Sequence, residues 1–165
     1  MVLSNFQLEK LAKFYKLKIN DICMKDELPD KVEDGSYIIN LQSSFQGTGT
    51  HWCALFIDRK NAYYQDSFGA APPSEVCNFV KKRDHCHLYY NNWIIQDLAS
   101  NKCGWFANAF LLWMKEHYQS NMLNVFNSFV NHFSDDTSKN DDILKSFFTN
   151  PTILKKPSLL ENFIK

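Results

Sequence analysis

The chain has 165 residues, enough for one compact domain and short for two. Lys and Arg total 18, as do Asp and Glu, so the formal charge is zero; this excludes a chain whose main task is coating nucleic acid, which needs a basic excess. Hydrophobic residues make up 45%, with 14 Phe, so a substantial core is available, while five Gly and five Pro exclude fibrous or low-complexity character.

The opening residues announce a helix. Ser4 and Gln7 fit a capping box and Leu3 with Leu8 sit at staple positions. Leu8, Leu11, Ala12 and Tyr15 follow at helical spacing over about residues 5–16. The polar stretch from Lys25 to Asp34 reads as a loop, and Ser36–Leu41 as a strand buried on both faces. Two further strands, Trp52–Ile57 and Ala62–Gln65, flank Asp58-Arg59-Lys60-Asn61, a hairpin turn by composition.

A short helix over Glu75–Arg83 and a strand over His87–Gln96 come next. Between Cys103 and Met114 only Gly104 and Asn108 fall outside the hydrophobic set, the signature of a central buried helix. Ser100 or Asn101 is available as its N-cap. Amphipathic helices over Asn124–Phe133 and Asp141–Phe148 follow, and Ser158 with Glu161 suggests a short terminal helix. The expected fold is α+β: one domain with helices around a small, mostly antiparallel sheet.

The first residues lack the basic and long apolar regions of a secretory signal, and no apolar run approaches the roughly 20 residues of a membrane span. Five cysteines, at positions 23, 53, 77, 86 and 103, show no CxxC spacing. They read as free thiols in a reducing compartment. His85-Cys86-His87 resembles a metal cluster, but in a strand the two His and the Cys point to opposite faces; no metal is expected.

Register arithmetic locates candidate chemistry. If the hairpin loop is even and centred between Arg59 and Lys60, cross-strand partners sum to 119. Cys53 then faces Asp66, His51 faces Phe68, and His51 with Asp66 are diagonal neighbours on one face, within reach of a His–carboxylate hydrogen bond. Cys103 stands at the start of the buried helix, where the helix dipole and a neighbouring imidazolium favour a thiolate. Gly104 allows a close approach, and Gln96 offers an amide beside the Cys103 N–H. Each residue also has a purely structural reading: Cys103 as a core hydrophobe, His51 as a hydrogen-bonded strand residue, Asp66 as an Asx-turn.

Taken together, Gly49-Thr50-His51-Trp52, Gln65-Asp66-Ser67-Phe68-Gly69, and Gln96 followed by Cys103-Gly104 resemble the adenovirus-type cysteine proteases, grouped with the Ulp-like SUMO proteases. Related enzymes occur in virophages and Polinton-type elements. The resemblance spans about residues 1–118, with helices over about 122–165 beyond it. It implies a circularly permuted papain-like fold, with Cys103 as nucleophile, His51 as general base and Asp66 orienting His51. Gln96 would be the oxyanion-hole donor, and Trp52 would wall the substrate site. It further implies a monomeric endopeptidase maturing capsid or other virion precursors, packaged in the virion and active in the host virus factory, cutting after small, Gly-Gly-like residues. A deconjugase of ubiquitin-like modifiers and a non-catalytic peptide-binding module are the alternatives.

Asp66 matches the Asp of Ulp-like relatives, where the adenovirus enzymes carry Glu. Those enzymes are basic and use DNA; at zero charge no DNA cofactor is expected here. They also bind a viral peptide through a disulfide. Cys86 lies ten positions before Gln96, a comparable place, and reads as an ordinary strand thiol, so a peptide activator stays open. Cys53, a rival nucleophile two residues from His51, lacks a helix N-terminus and a following Gly, and reads as core. The Phe-rich C-terminal helices read as packing, or as a docking face for a capsid or activator partner.

Overall fold

The computed structural model describes residues 2–149. Its elements in chain order are α1 (Asn5–Phe14), β1 (Asp21–Met24), β2 (Gly35–Asn40), β3 (Trp52–Asp58), β4 (Asn61–Gln65), α2 (Ser74–Lys81), β5 (His87–Tyr90), α3 (Cys103–Glu116), α4 (Met122–Val130) and α5 (Asn140–Thr149). Single 3-10 turns at Lys25–Glu27 and Thr137–Lys139 follow β1 and precede α5. The terminal helix expected around Ser158 lies outside the described residues.

The fold is α+β. One five-stranded sheet has the order β1-β2-β3-β4-β5. Its centre is antiparallel, β2 with β3 and β3 with β4, while both edge strands pair in parallel. The sheet is thus antiparallel in the middle only. Parallel edges need crossover connections, and here the chain between β1 and β2 and the α2 segment between β4 and β5 make them.

Two apolar layers sandwich the sheet, which explains why the strands are hydrophobic at successive positions. Ile38, Trp52, Ala54 and Tyr63 face a core built with α1, α3, α4 and α5. Tyr37, Ile39, Cys53, Leu55 and Tyr64 face a smaller core closed by Val76, Phe79 and Val80 of α2. Helix α3 is buried nearly all round and lies against β3. Its first turn meets α1 so closely that a Cβ on Gly104 would stand 2.9 Å from Leu8 Cδ2. The close approach read at Gly104 is therefore made to the leading segment. At the start of α1 the capping box is complete: Gln7 N–H donates to Ser4 Oγ and Ser4 N–H to Gln7 Oε1.

One strand was not anticipated, and two expectations are corrected. β1 falls in a stretch with no strand signal of its own, being four residues on a sheet edge. β5 stops at Tyr90 rather than continuing to Gln96. The reason is Asn91, whose side chain takes over the backbone pairing: Nδ2 donates to Asp66 O at 3.0 Å and to Trp93 O at 3.0 Å, and Oδ1 accepts from Asp66 N–H at 3.2 Å. The N-cap of α3 is Lys102, with no side-chain bond; the Ser100 hydroxyl accepts from Lys102 N–H at 3.3 Å, ahead of the helix, and donates to Asp141 Oδ1 of α5 at 2.7 Å. No helix among the described residues is long and apolar enough to cross a membrane.

Candidate active site

The hairpin register is the expected one. Ala54 pairs with Gln65, Leu55 with Tyr64 and Asp58 with Asn61, so the two-residue loop is Arg59-Lys60, with Arg59 in the left-handed region at φ +56°. Past the last ladder pair the strand ends keep this alignment. The His51 and Phe68 rings lie 4.9 Å apart, and His51 Nε2 meets Asp66 Oδ1 at 2.8 Å.

Asp66 is fixed from several sides. Its Oδ1 also accepts from Phe68 N–H at 2.8 Å, the Asx-turn anticipated as its structural role. Its own N–H and C=O are both held by Asn91, and its C=O also accepts from Gly69 N–H. Gly69, at φ +72°, closes this turn where a Cβ would lie 2.9 Å from the Trp93 backbone. A side chain there would be both strained and obstructed. The carboxylate is 1% exposed and its imidazole partner 14%, so their attraction is poorly screened by solvent.

The imidazole serves three partners. Burial alone would depress its pKa, but hydrogen bonds with Asp66, then with the Cys103 and Cys53 thiols, outweigh it and push the pKa well above its ordinary value. The charged ring between carboxylate and thiol is the arrangement that supports thiolate chemistry. Cys103 opens α3 and is 3% exposed. The structure therefore brings Cys103, His51 and Asp66 together from the start of a helix and two adjacent strand ends.

Cys53 shares the imidazole, yet differs in setting. It is fully buried, and burial raises its pKa to about 11 despite the His51 hydrogen bond. It stays a thiol, sealed beneath the site. The donor atoms of His51, Cys53 and Asp66 lie within 4.8 Å of one another, the one set with metal-binding proximity among the described residues; a protonated Cys53 is a poor ligand. His85, Cys86 and His87 form no such set. Cys86 lies just before β5, partly exposed, its pKa raised chiefly by burial.

Gln96 is 1% exposed and lies on an irregular segment rather than a strand. Its amide is held at both ends: Oε1 accepts from Ser67 Oγ at 2.5 Å, and Nε2 donates to Ser100 O at 2.9 Å. Its backbone N–H and that of Ile95 both donate to Ser67 O. Trp52 is 6% exposed and donates its indole N–H to Leu3 O at 2.8 Å. It lines, with Leu3, Phe6, Met24 and Gly49, an open groove of about 740 Å³ beside the leading segment. Its first contact is thus with the chain's own N-terminal residues.

Sequence reasoning missed Ser67, Asn91 and Asn140. Asn140 Nδ2 donates to Ile95 O at 2.9 Å and to Ser134 O at 2.8 Å, tying the segment before Cys103 to the start of α5. The Asp66-Ser67 pair was a readable signal for Ser67; nothing in the sequence pattern singled out Asn140.

No protein-family model and no curated protein sequence matches the chain. Solved structures do. The chain is similar to the pS273R protease of ASFV in two crystal structures. The selenomethionine form matches at a TM-score of 0.49 and 19% identity, over 68% of this chain and 42% of that one. The other matches at 0.44 and 16%, over 88% and 65%. The SUMO protease Ulp1, with its catalytic cysteine oxidised to a sulfinic acid, is similar at 0.33 and 16%, over 88% of this chain and 61% of that one. This chain therefore spans less than two thirds of the length of each.

Proposed function

We propose that this chain is a cysteine endopeptidase, and the observation that carries the reading is the single imidazole bridging a buried carboxylate and the thiol that opens α3. In this reading the Cys103 thiolate attacks the scissile carbonyl and the carbonyl electrons move onto oxygen. Imidazolium His51 then gives its proton to the leaving amine, leaving an acyl-enzyme. Water attacks the thioester with His51 taking its proton, and the carboxylate product leaves with Cys103 regenerated. Asp66 holds the imidazole through Nε2, which leaves Nδ1 as the nitrogen that exchanges protons with sulfur and substrate.

The substrate reading rests on the sequence motifs: maturation of capsid or other virion precursors, with cleavage after small, Gly-Gly-like residues. The proposed setting is the virion and the virus factory, with a monomeric enzyme that needs neither DNA nor metal. Incubating the protein with an internally quenched peptide containing Gly-Gly-X, a capsid precursor and a ubiquitin-like modifier fusion tests this. Cleavage after Gly-Gly in the peptide and the precursor, lost in Cys103→Ala, is expected. Cleavage of the modifier fusion alone would reassign the enzyme as a deconjugase. A folded chain that cuts none of the three would overturn the protease reading in favour of a peptide-binding module.

A further inference from the structure

Ser67 follows the acid directly and is 1% exposed, yet its hydroxyl takes no part in the His51–Asp66 pair. It donates to Gln96 Oε1 at 2.5 Å, while its carbonyl accepts from the N–H groups of Ile95 and Gln96. At the other end of the amide, Nε2 donates to the carbonyl of Ser100. A carbonyl only accepts, so the amide nitrogen must face Ser100, and the hydroxyl must then donate to the amide oxygen. The Ser100 carbonyl thus selects one of two nearly isosteric orientations, and the Ser67 hydroxyl, which could accept as readily as donate, anchors the oxygen end of the amide so selected. An amide turned over would present its oxygen where Nε2 stands and repel a developing oxyanion rather than stabilise it.

We propose that Ser67 is a positioning residue that locks the Gln96 carboxamide with its nitrogen toward the reacting carbonyl, linking the acid of the Cys–His–Asp set to the oxyanion hole. The inference rests on the protease reading above. Nε2 carries two hydrogens; one goes to Ser100 O, and the other serves the oxyanion. Ser100 is itself anchored, its hydroxyl donating to Asp141 of α5, so Ser67 supplies the anchor at the other end of the amide. Removing a whole oxyanion donor costs about 10²–10³-fold; loosening its orientation should cost about tenfold or more within that bound.

The test separates thiol reactivity from oxyanion stabilisation. Iodoacetamide alkylation of Cys103 needs only the nucleophile. N-acetyl-glycylglycinal adds the thiolate to its aldehyde carbon and moves the carbonyl electron pair onto oxygen, so its adduct needs the oxyanion donor. Its affinity is read as protection of Cys103 from alkylation in peptide mass spectra. Ser67→Thr and Ser67→Val have the same shape and differ in the hydroxyl, so their comparison stands even if either loses stability against wild type.

Alkylation rates should agree within about twofold, while aldehyde affinity should fall about tenfold or more in Ser67→Val relative to Ser67→Thr. The deficit should vanish in a Gln96→Ala background, where a merely structural role would persist. Equal aldehyde affinity in the Thr and Val variants, or a deficit that survives Gln96→Ala, overturns the assignment of Ser67 alone. Wild-type Cys103 that reacts no faster than the other cysteines and binds no aldehyde overturns the protease reading and this inference with it.

Discussion

The two halves of the candidate site are positioned by different means. The His51–Asp66 corner extends a regular hairpin: the β3–β4 ladder sets the register, and the two side chains meet because strand periodicity places them on one face. The segment from Asn91 to Lys102 has almost no regular structure. It is held by individual side chains: Asn91 on Asp66, Ser67 on Gln96, Asn140 on Ile95 and Ser100 on Asp141. A ladder distributes its load over many backbone bonds, so its ends tolerate single changes. A segment pinned by a few buried amides and hydroxyls has no such redundancy.

The sharpest probe of this contrast is activity. Cys103→Ala and His51→Ala should each lower kcat by at least about 10³-fold, the first leaving the thermal midpoint within a few degrees and the second lowering it as well, because it strands the buried Asp66 carboxylate. A cleavage assay and a melting curve together check this. Next is Asn140→Ala, which strands the Ile95 carbonyl and both Ser134 backbone groups. With each unpaired buried group costing about 1–3 kcal/mol, a loss of about 3 kcal/mol in urea unfolding is expected, with activity falling further than stability explains. A loss under about 1 kcal/mol would show that the segment is held by something other than its side-chain pins.

Gly104→Ala should cost about 2 kcal/mol, since the added methyl meets Leu8 Cδ2 at 2.9 Å and the fully buried Leu8 side chain must give way. Cys53→Ala should cost about 1 kcal/mol for a small buried cavity and leave the reactivity of Cys103 within about threefold. A larger drop in reactivity would make Cys53 part of the chemistry rather than its floor.

Acidity offers the mildest test. The folded-state pKa of His51 is raised from about 6.5 to about 12 by its partners against the opposing effect of burial. The stabilisation from its protonated form is therefore complete below pH 6.5 and declines as pH rises toward the folded value. The gap between the urea midpoints of wild type and Asp66→Asn should narrow steadily from pH 6.5 to 9 without closing. A gap that holds constant over that range would mean that the pair is not ionic.

The same contrast explains what could be read without a structure. The 119 sum, the facing of His51 and Phe68, and the two-faced burial of β2 follow from period-2 alternation and a two-residue loop, both local properties. The capping box at Ser4 is local too. What was misread depends on distant partners. β5 ends early because Asn91 finds Asp66, 25 positions away. The Ser100 hydroxyl reaches Asp141, 41 positions away, a partner no local pattern names. β1 and the parallel edges depend on crossovers whose course no periodicity encodes. The Trp52 indole N–H anchors the leading segment through Leu3 O, 49 positions away, a contact no periodicity encodes.

The central claim, an activated Cys103 paired with His51, is tested most directly by limiting iodoacetamide labelling of all five cysteines near pH 6, resolved by peptide. Cys77 and Cys86 are the more exposed thiols, while Cys103 is only 3% exposed. Accessibility alone therefore ranks Cys103 behind both. The account predicts that Cys103 labels first and that His51→Ala slows it at least about tenfold, as expected when a thiolate loses its stabilising imidazolium. Labelling of Cys77 or Cys86 ahead of Cys103, at a rate indifferent to His51, would contradict it.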